Sequence, residues 1–348
     1  MRHYQSDFFS HLAQFDTIID VRSPAEYAED HIPGAINCPV LNDAERARVG
    51  TLYKQVNPFE AKKVGAALVA KNIALHIEQQ FLDKPRAWKP LIYCWRGGNR
   101  SGAMTHILSK IGWHAEQLAG GYKTYRTHVI AALAESPKHY TFNVICGTTG
   151  SGKSRLLQTL ADEGAQVLDL EKLAAHRGSV LGNLPTEPQP SQKAFESSIW
   201  ETLQHFDPAR VVFVESESKK VGKLSVPEAL MDNMRSSPCV TLSLSHPNRV
   251  RLLMEDYAHF VRDPDFLNER LNRLIDLHGR AKIAHWHELA LSGKMDVLVE
   301  ALLVDHYDPL YLRSIHRNFV QSDKARVLEL NGITENDFRA AARRLHSS

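Results

Sequence analysis

The chain has 348 residues, of which 43% are hydrophobic and 24% charged. That is material for two ordinary domains, each with its own core, and it excludes a disordered chain, a collagen and a mini-protein that needs staples. Basic and acidic residues nearly cancel, 42 against 40, for a formal charge of +2, so the balance neither announces nor excludes a nucleic-acid partner.

Taken in chain order, the first segment alternates strands and helices. Phe15 to Val21 is a short apolar strand ending on an acid. Ser23-Pro24-Ala25-Glu26 is a helix start, with Ser at the cap, Pro at the first helical position and Glu three after the Ser. His31 to Asn37 is a turn entering another strand, and Pro90 to Tyr93 is a strand delivering Cys94. A glycine-bearing loop, a helix over Ser101 to Ile111 and Gly120-Gly121-Tyr122 close the unit. The pattern restarts near Ser136, with a strand over Tyr140 to Cys146, a second glycine-rich loop and a helix from Lys153 to Glu163. Gly178 to Gln192 reads as a mobile loop, and 248–305 as charged, helix-rich sequence. The fold class expected is α/β throughout: a parallel-sheet domain over 1–135, then a second parallel α/β domain with a helix-rich C-terminal part over 136–348.

Apolar stretches such as Val211 to Val214 fall far short of the roughly 18 residues of a membrane span. Met1 to Asp7 lacks the charged-then-apolar order of a signal peptide. A cytoplasmic location without membrane contact is expected. The four cysteines at 38, 94, 146 and 239 form no CxxC pair, and His278, His285 and His287 lack a metal-ligand arrangement. No disulfide framework and no structural metal are expected.

Cys94 stands apart from the other cysteines. A strand delivers it to the carboxyl edge of a parallel sheet, where α/β sites lie. Trp95-Arg96-Gly97-Gly98-Asn99-Arg100 follow. Two glycines let the loop curl so that successive N–H groups converge on one point. The helix starting near Ser101 adds its positive end, and Arg96 and Arg100 add full charges. All these terms favour a thiolate and would cradle a terminal sulfur or selenium anion. With Asp20-Val21-Arg22, His31 to Asn37 and Gly120-Gly121-Tyr122, this loop resembles a rhodanese domain over about the first 130 residues. The resemblance implies that Cys94 accepts a chalcogen atom, that Trp95 to Arg100 form its cradle, and that Asp20 and Arg22 are a supporting ion pair.

Gly147-Thr148-Thr149-Gly150-Ser151-Gly152-Lys153-Ser154 matches a phosphate loop in full, in the strand-to-helix context that such a loop needs. Its backbone N–H groups would face phosphate oxygens, Lys153 the terminal phosphates, and Ser154 a Mg²⁺. A Walker-B-like acid is sought at a neighbouring strand end: Glu215 after Val211 to Val214, or Asp169 after Val167-Leu168. Arg249, Arg251, Arg262, Arg270, Arg273, Arg280 and Lys282 are candidate RNA contacts, interleaved with acids as on an ordinary solvated helix. Trp286, Tyr307 and Tyr311 are candidate stacking residues, with core packing as their commoner fate.

Both loops together with His176 to Gly182, Glu215 to Gly222 and His306 to Tyr311 resemble the tRNA 2-selenouridine synthases along nearly the whole chain. The resemblance implies an enzyme that acts on tRNA carrying wobble 2-thiouridine. The base is S-geranylated from geranyl diphosphate and then converted to 2-selenouridine with selenophosphate as donor. It implies no tightly bound cofactor beyond a Mg²⁺ accompanying a diphosphate. Two other readings stay open from the residues: a rhodanese-type sulfurtransferase fused to an ATP-dependent kinase, and a nucleotide-gated RNA-binding module.

Overall fold

A computed structural model describes residues 10–319 and 321–346. The segment read for a targeting signal, Met1 to Asp7, lies outside the described residues. The chain divides into two compact units, the first formed by Met1–Leu133 with Pro190–Glu201, the second by Ala134–Gln189 with Thr202–Ser348. The sequence places Pro190–Glu201 with the second domain. Its helix, Gln192–Gln204, carries Ser197, which donates to Asp30 at 3.1 Å, and Lys193, which pairs with Glu29 at 2.7 Å.

The first unit holds a parallel sheet in the order β2-β1-β3-β4: β1 Thr17–Asp20, β2 Ile36–Asn37, β3 Pro90–Tyr93 and β4 Glu116–Gln117. β1 runs beside β3 in parallel, with Asp20 opposite Tyr93. The chain moves from β1 to one side, then to the other, which opens a crevice at the carboxyl ends of β1 and β3. The expected helix start is present at Pro24–Glu29, where Ser23 N donates to Glu26 Oε2 at 3.1 Å. Ile19, Val21, Ile92, Met104 and Leu108 form the core beneath the crevice.

The second unit holds a parallel sheet in the order β11-β10-β5-β7-β6: β5 Phe142–Cys146, β6 Gln166–Leu168, β7 Val212–Glu215, β10 Cys239–Ser243 and β11 Arg326–Glu329. A separate antiparallel pair joins β8 Lys220–Val221 to β9 Leu224–Ser225. β5 is central, with β7 on one side and β10 on the other, so the loop after it leaves at the topological switch. Leu156, Leu157 and Leu160 on the helix Lys153–Asp162 pack with Ile145, Leu242 and Phe338. The helix-rich stretch after residue 246 builds a second core around Trp286, Leu271 and Leu298.

Asp20 and Arg22 are both buried, 0% and 1% exposed. Arg22 Nε and Nη2 donate to Asp20 Oδ2 at 3.0 and 2.6 Å, and Nη2 also reaches Asp30 O at 2.6 Å. Burial alone would lower the Arg22 pKa, but the Asp20 carboxylate outweighs it and holds the guanidinium charged. Removing one partner would leave a buried charge alone, which costs about 3–5 kcal/mol. Asp20→Ala and Arg22→Ala should each lower stability by about that amount in urea titrations.

Candidate functional sites at two sheet edges

In the first unit, β3 is wholly buried and ends where Cys94 begins the loop. Two backbone bonds pin the loop's start: Tyr122 N donates to Cys94 O at 2.8 Å, and Lys123 N to Trp95 O at 3.0 Å. They require close approach. Gly121 has φ +60°, and a Cβ there would collide with Cys94 O. The Gly120-Gly121-Tyr122 motif is therefore the clamp on the reactive loop, which its position 26 residues downstream concealed from the sequence.

The Cys94 side chain is 4% exposed. Ser101 Oγ donates to Cys94 Sγ at 3.2 Å, and Gln117 Nε2 donates to Ser101 Oγ at 2.9 Å. As a thiol, Cys94 turns its proton toward Arg96 O at 3.9 Å. An oriented hydroxyl stabilises negative charge on the sulfur as it develops. Gly98 caps the helix Asn99–Ile111 in the left-handed conformation with no side-chain cap bond, so the helix start faces the loop without a protein anion of its own.

The remaining cradle residues divide. Trp95 and Arg96 are exposed, Gly97 and Gly98 make the curl, and Asn99 opens the helix. Arg100 turns away: Nη1 and Nη2 donate to Glu26 Oε2 and Oε1 at 2.7 and 3.2 Å. Burial pushes the Glu26 carboxyl up, but Arg100 outweighs it and the net shift is downward. The Arg100 charge is thus committed to Glu26, leaving Arg96 as the solvent-facing cation. Ser101 and Gln117 were missed in the sequence because neither residue type signals a thiol partner at that spacing. Losing a hydrogen bond to a charged group costs about 1.5–3 kcal/mol. Ser101→Ala should therefore slow alkylation of Cys94 by iodoacetamide, read as a lower second-order rate constant than that of wild type.

In the second unit, the loop from Gly147 to Gly152 joins β5 to its helix. Gly152 caps that helix at φ +91°, and a Cβ there would meet the Phe338 ring at 2.8 Å. Lys153 Nζ donates to Gly147 O at 2.7 Å, and Gly147 N donates to Tyr311 Oη at 2.6 Å. Thr148 O accepts from Ser151 N at 3.1 Å. The Ser151 hydroxyl is buried without a partner. Arg249 is 6% exposed and clamps the loop from outside: its Nε and Nη2 donate to Thr149 O at 2.9 and 2.7 Å, while Nη1 and Nη2 hold Asp308 at 3.0 and 2.6 Å. Arg249 is thus a buried loop clamp rather than an RNA contact. Trp286, 1% exposed, is a core residue rather than a stacking surface. Tyr307 and Tyr311 line the cavity beside the loop.

Four carboxyl groups influence one another here, and two of them, Glu171 and Glu217, feel the charge of Lys153. Ser154 Oγ donates to Glu171 Oε2 at 2.9 Å, and Glu171 N donates to Glu215 Oε1 at 2.7 Å. Glu215 ends β7, is 1% exposed, and its Oε2 has no partner among the described residues. Asp169 instead caps a short helix, accepting from Lys172 N at 2.8 Å. Of these acids Glu171, which the sequence reading passed over, is the one bonded to Ser154. Burial first, then its neighbouring carboxylates, hold Glu215 well above the usual range. Burial and then Glu171 push Glu217 up to about 8. A native Glu217 therefore keeps a proton that the unfolded chain loses near 4.5. Between those values the native state binds the extra proton, so stability falls as pH rises from about 4.5 to 8. Glu217→Gln should flatten that fall and raise the melting temperature at pH 8, by about 2–4 °C per kcal/mol recovered.

The loop opens on a cavity of ≈ 330 Å³ lined by Lys153, Ser154, Glu171, Arg177, Glu217 and Tyr311, among others. An adjoining recess is lined by Leu181, Met254, Phe260, Leu267, Leu298 and Leu302. The two share Thr149, Ser179, Leu253, Tyr257 and Tyr307. The first is of mixed lining, with its charged residues beside the loop; the second is apolar.

Residues 6–128 match the rhodanese-like domain model, and 140–268 the model described as the tRNA 2-selenouridine synthase AAA domain. A tRNA 2-selenouridine synthase of Nitrosomonas europaea is 32% identical, covering 87% of this chain and 90% of its own length. One of Shewanella denitrificans is 35% identical, covering 88% and 90%. The solved N-terminal domain of a putative ATP/GTP binding protein from Clostridium difficile 630 is 38% identical over 35% of this chain and 95% of that one, at a TM-score of 0.32.

Proposed function

This chain belongs to the tRNA 2-selenouridine synthase family, and we propose that its two sites serve successive steps on a wobble 2-thiouridine. It is an enzyme of that type, and among the described residues no helix is long and apolar enough to cross a membrane. In the proposed sequence, acting in the cytoplasm, the thiocarbonyl sulfur attacks the first carbon of geranyl diphosphate and diphosphate leaves. Alkylation makes C2 a thioimidate-like centre. Water cleaves the P–Se bond of selenophosphate, leaving orthophosphate and the hydrogen selenide anion. That anion, held non-covalently against the Cys94 loop, adds to C2, and the geranyl thiolate departs, taking up a proton.

The observation that carries this reading is the apolar recess next to the phosphate-loop cavity, the two sharing five lining residues. A ligand with a diphosphate head and a hydrocarbon tail matches both, whereas a nucleotide would set a polar sugar and base against Leu298, Leu302 and Phe260. Lys153, Ser151 and the loop N–H groups bind and stabilise the departing diphosphate, which is electrostatic work in a preorganised site. Ser154 and Glu171 would hold a Mg²⁺, whose contribution is to neutralise diphosphate charge. The unpartnered oxygen of Glu215 fits a place where positive charge is wanted. In the first unit, Ser101 and the loop N–H groups hold the selenium anion beside Arg96.

Nucleosides from 2-thiouridine tRNA, treated with geranyl diphosphate and selenophosphate, separate the steps by mass spectrometry. Wild type should yield 2-selenouridine, Cys94→Ala should stop at the geranylated base, and Lys153→Ala should yield neither product. An untouched thiouridine, with ATP turned over in the absence of tRNA, would replace this reading with a sulfurtransferase joined to a kinase.

A further inference from the structure

Trp95 sits differently from the chain's buried indoles. Trp88, Trp200 and Trp286 are 3%, 0% and 1% exposed, whereas Trp95 is 41% exposed, directly after a cysteine that is 4% exposed. We propose that Trp95 is the stacking platform for the target base at the Cys94 site, a positioning residue for selenium delivery. This rests on the function proposed above, in which C2 of the base must meet the selenide held at the Cys94 loop.

The indole is backed rather than loose. It stacks on Tyr122, with ring centroids 5.3 Å apart and planes 27° from parallel. Tyr122 is 2% exposed, and its hydroxyl donates to Asp30 Oδ2 at 2.7 Å. The Arg22 guanidinium lies 4.0 Å from the Tyr122 ring centroid. Tyr122 N is also the donor that pins Cys94 O at 2.8 Å. One residue therefore sets both the orientation of the indole and the position of the thiol. A base laid on Trp95 is held in register with the Cys94 loop.

The surroundings suit an unpaired base on a phosphodiester chain. Lys193 Nζ stands 5.9 Å from the Trp95 ring centroid, at the outer reach of a cation–π contact, and Glu29 holds it there at 2.7 Å. Arg96 is exposed beside it with no ion-pair partner among the described residues. An exposed aromatic face with a free cation beside it, here Arg96, is how single-stranded nucleic acid is gripped, by stacking on the base and by charge on the backbone. The ligand class is an unpaired 2-thiopyrimidine presented by a single-stranded loop.

The test compares wild type, Trp95→Phe and Trp95→Ala in the full-length protein. Two labelled anticodon stem-loop RNAs are titrated by fluorescence anisotropy, one with 2-thiouridine and one abasic at that position. Stacking on an aromatic predicts that Trp95→Ala weakens binding of the thiouridine RNA roughly ten- to hundredfold, that Trp95→Phe keeps most of it, and that the abasic RNA binds wild type and Trp95→Ala equally. KM for tRNA should rise in Trp95→Ala, with the melting temperature and the iodoacetamide rate of Cys94 unchanged. Equal affinity of wild type and Trp95→Ala for the thiouridine RNA would overturn the proposal. So would a slowed Cys94 alkylation in Trp95→Ala, which marks a packing role. Failure of wild type to make 2-selenouridine strikes the function proposed above, while the two-RNA comparison still decides the role of Trp95.

Discussion

A helix that begins just after a parallel strand has ended leaves its first N–H groups without partners, and those groups must be met. At some helices of this chain a side chain meets them: Asn42 accepts from Glu45 N, Asn57 from Glu60 N, and Asp263 from Phe266 N. At both candidate sites no side chain does. Gly98 and Gly152 occupy the cap positions in the left-handed conformation, with no capping side chain. A Ser or Asp there would close the helix start with its own oxygen. Glycine leaves it open to an incoming anion, which under the proposed function is selenide at one sheet edge and phosphate at the other. The rest of each site supports that open end.

The two supports differ in their electrostatics. Around Cys94 the ionic pairs are already satisfied, Asp20 with Arg22 and Glu26 with Arg100, so the sulfur meets polar donors rather than competing charge. Around Lys153 the opposite holds. Glu215 and Glu217 are buried, and both are pushed toward the protonated form. The lysine meanwhile folds back onto Gly147 O. Under the proposed function such a site suits a ligand of mixed charge: a phosphate group would draw Lys153 off the carbonyl, and a cation would replace the carboxyl protons.

What the sequence revealed was whatever its chemistry keeps local. The Cys94 loop and the phosphate loop each lie within a few consecutive residues, and the strand before and helix after each are equally local. What it hid are partners drawn from far along the chain. Arg100 meets Glu26 from 74 residues away, Arg249 meets Thr149 from 100, and Tyr311 meets Gly147 from 164. Glu171 lies only 17 residues past Ser154, but an acid just inside a short helix looks like ordinary helix-start chemistry. Arg249 was read as a surface cation because its helix carries alternating charge; only the fold reveals that one of those charges turns inward. Trp95 shows the converse. It lay inside a recognisable motif, yet its exposure and its Tyr122 backing exist only in three dimensions.

The return of Pro190–Glu201 to the first unit bears on how the protein is made. A chain emerging from the ribosome folds its early part first. Here the carboxylate of Asp30, which Tyr122 already contacts, receives its second hydroxyl only when Ser197 has been synthesised. Between those two moments the nascent polypeptide must extrude the whole phosphate loop with the strand before it and the helix after it. The buried carboxylate under the Trp95 platform is thus completed late, after the chain has begun a second sheet. The first unit is completed only after translation of the second has begun.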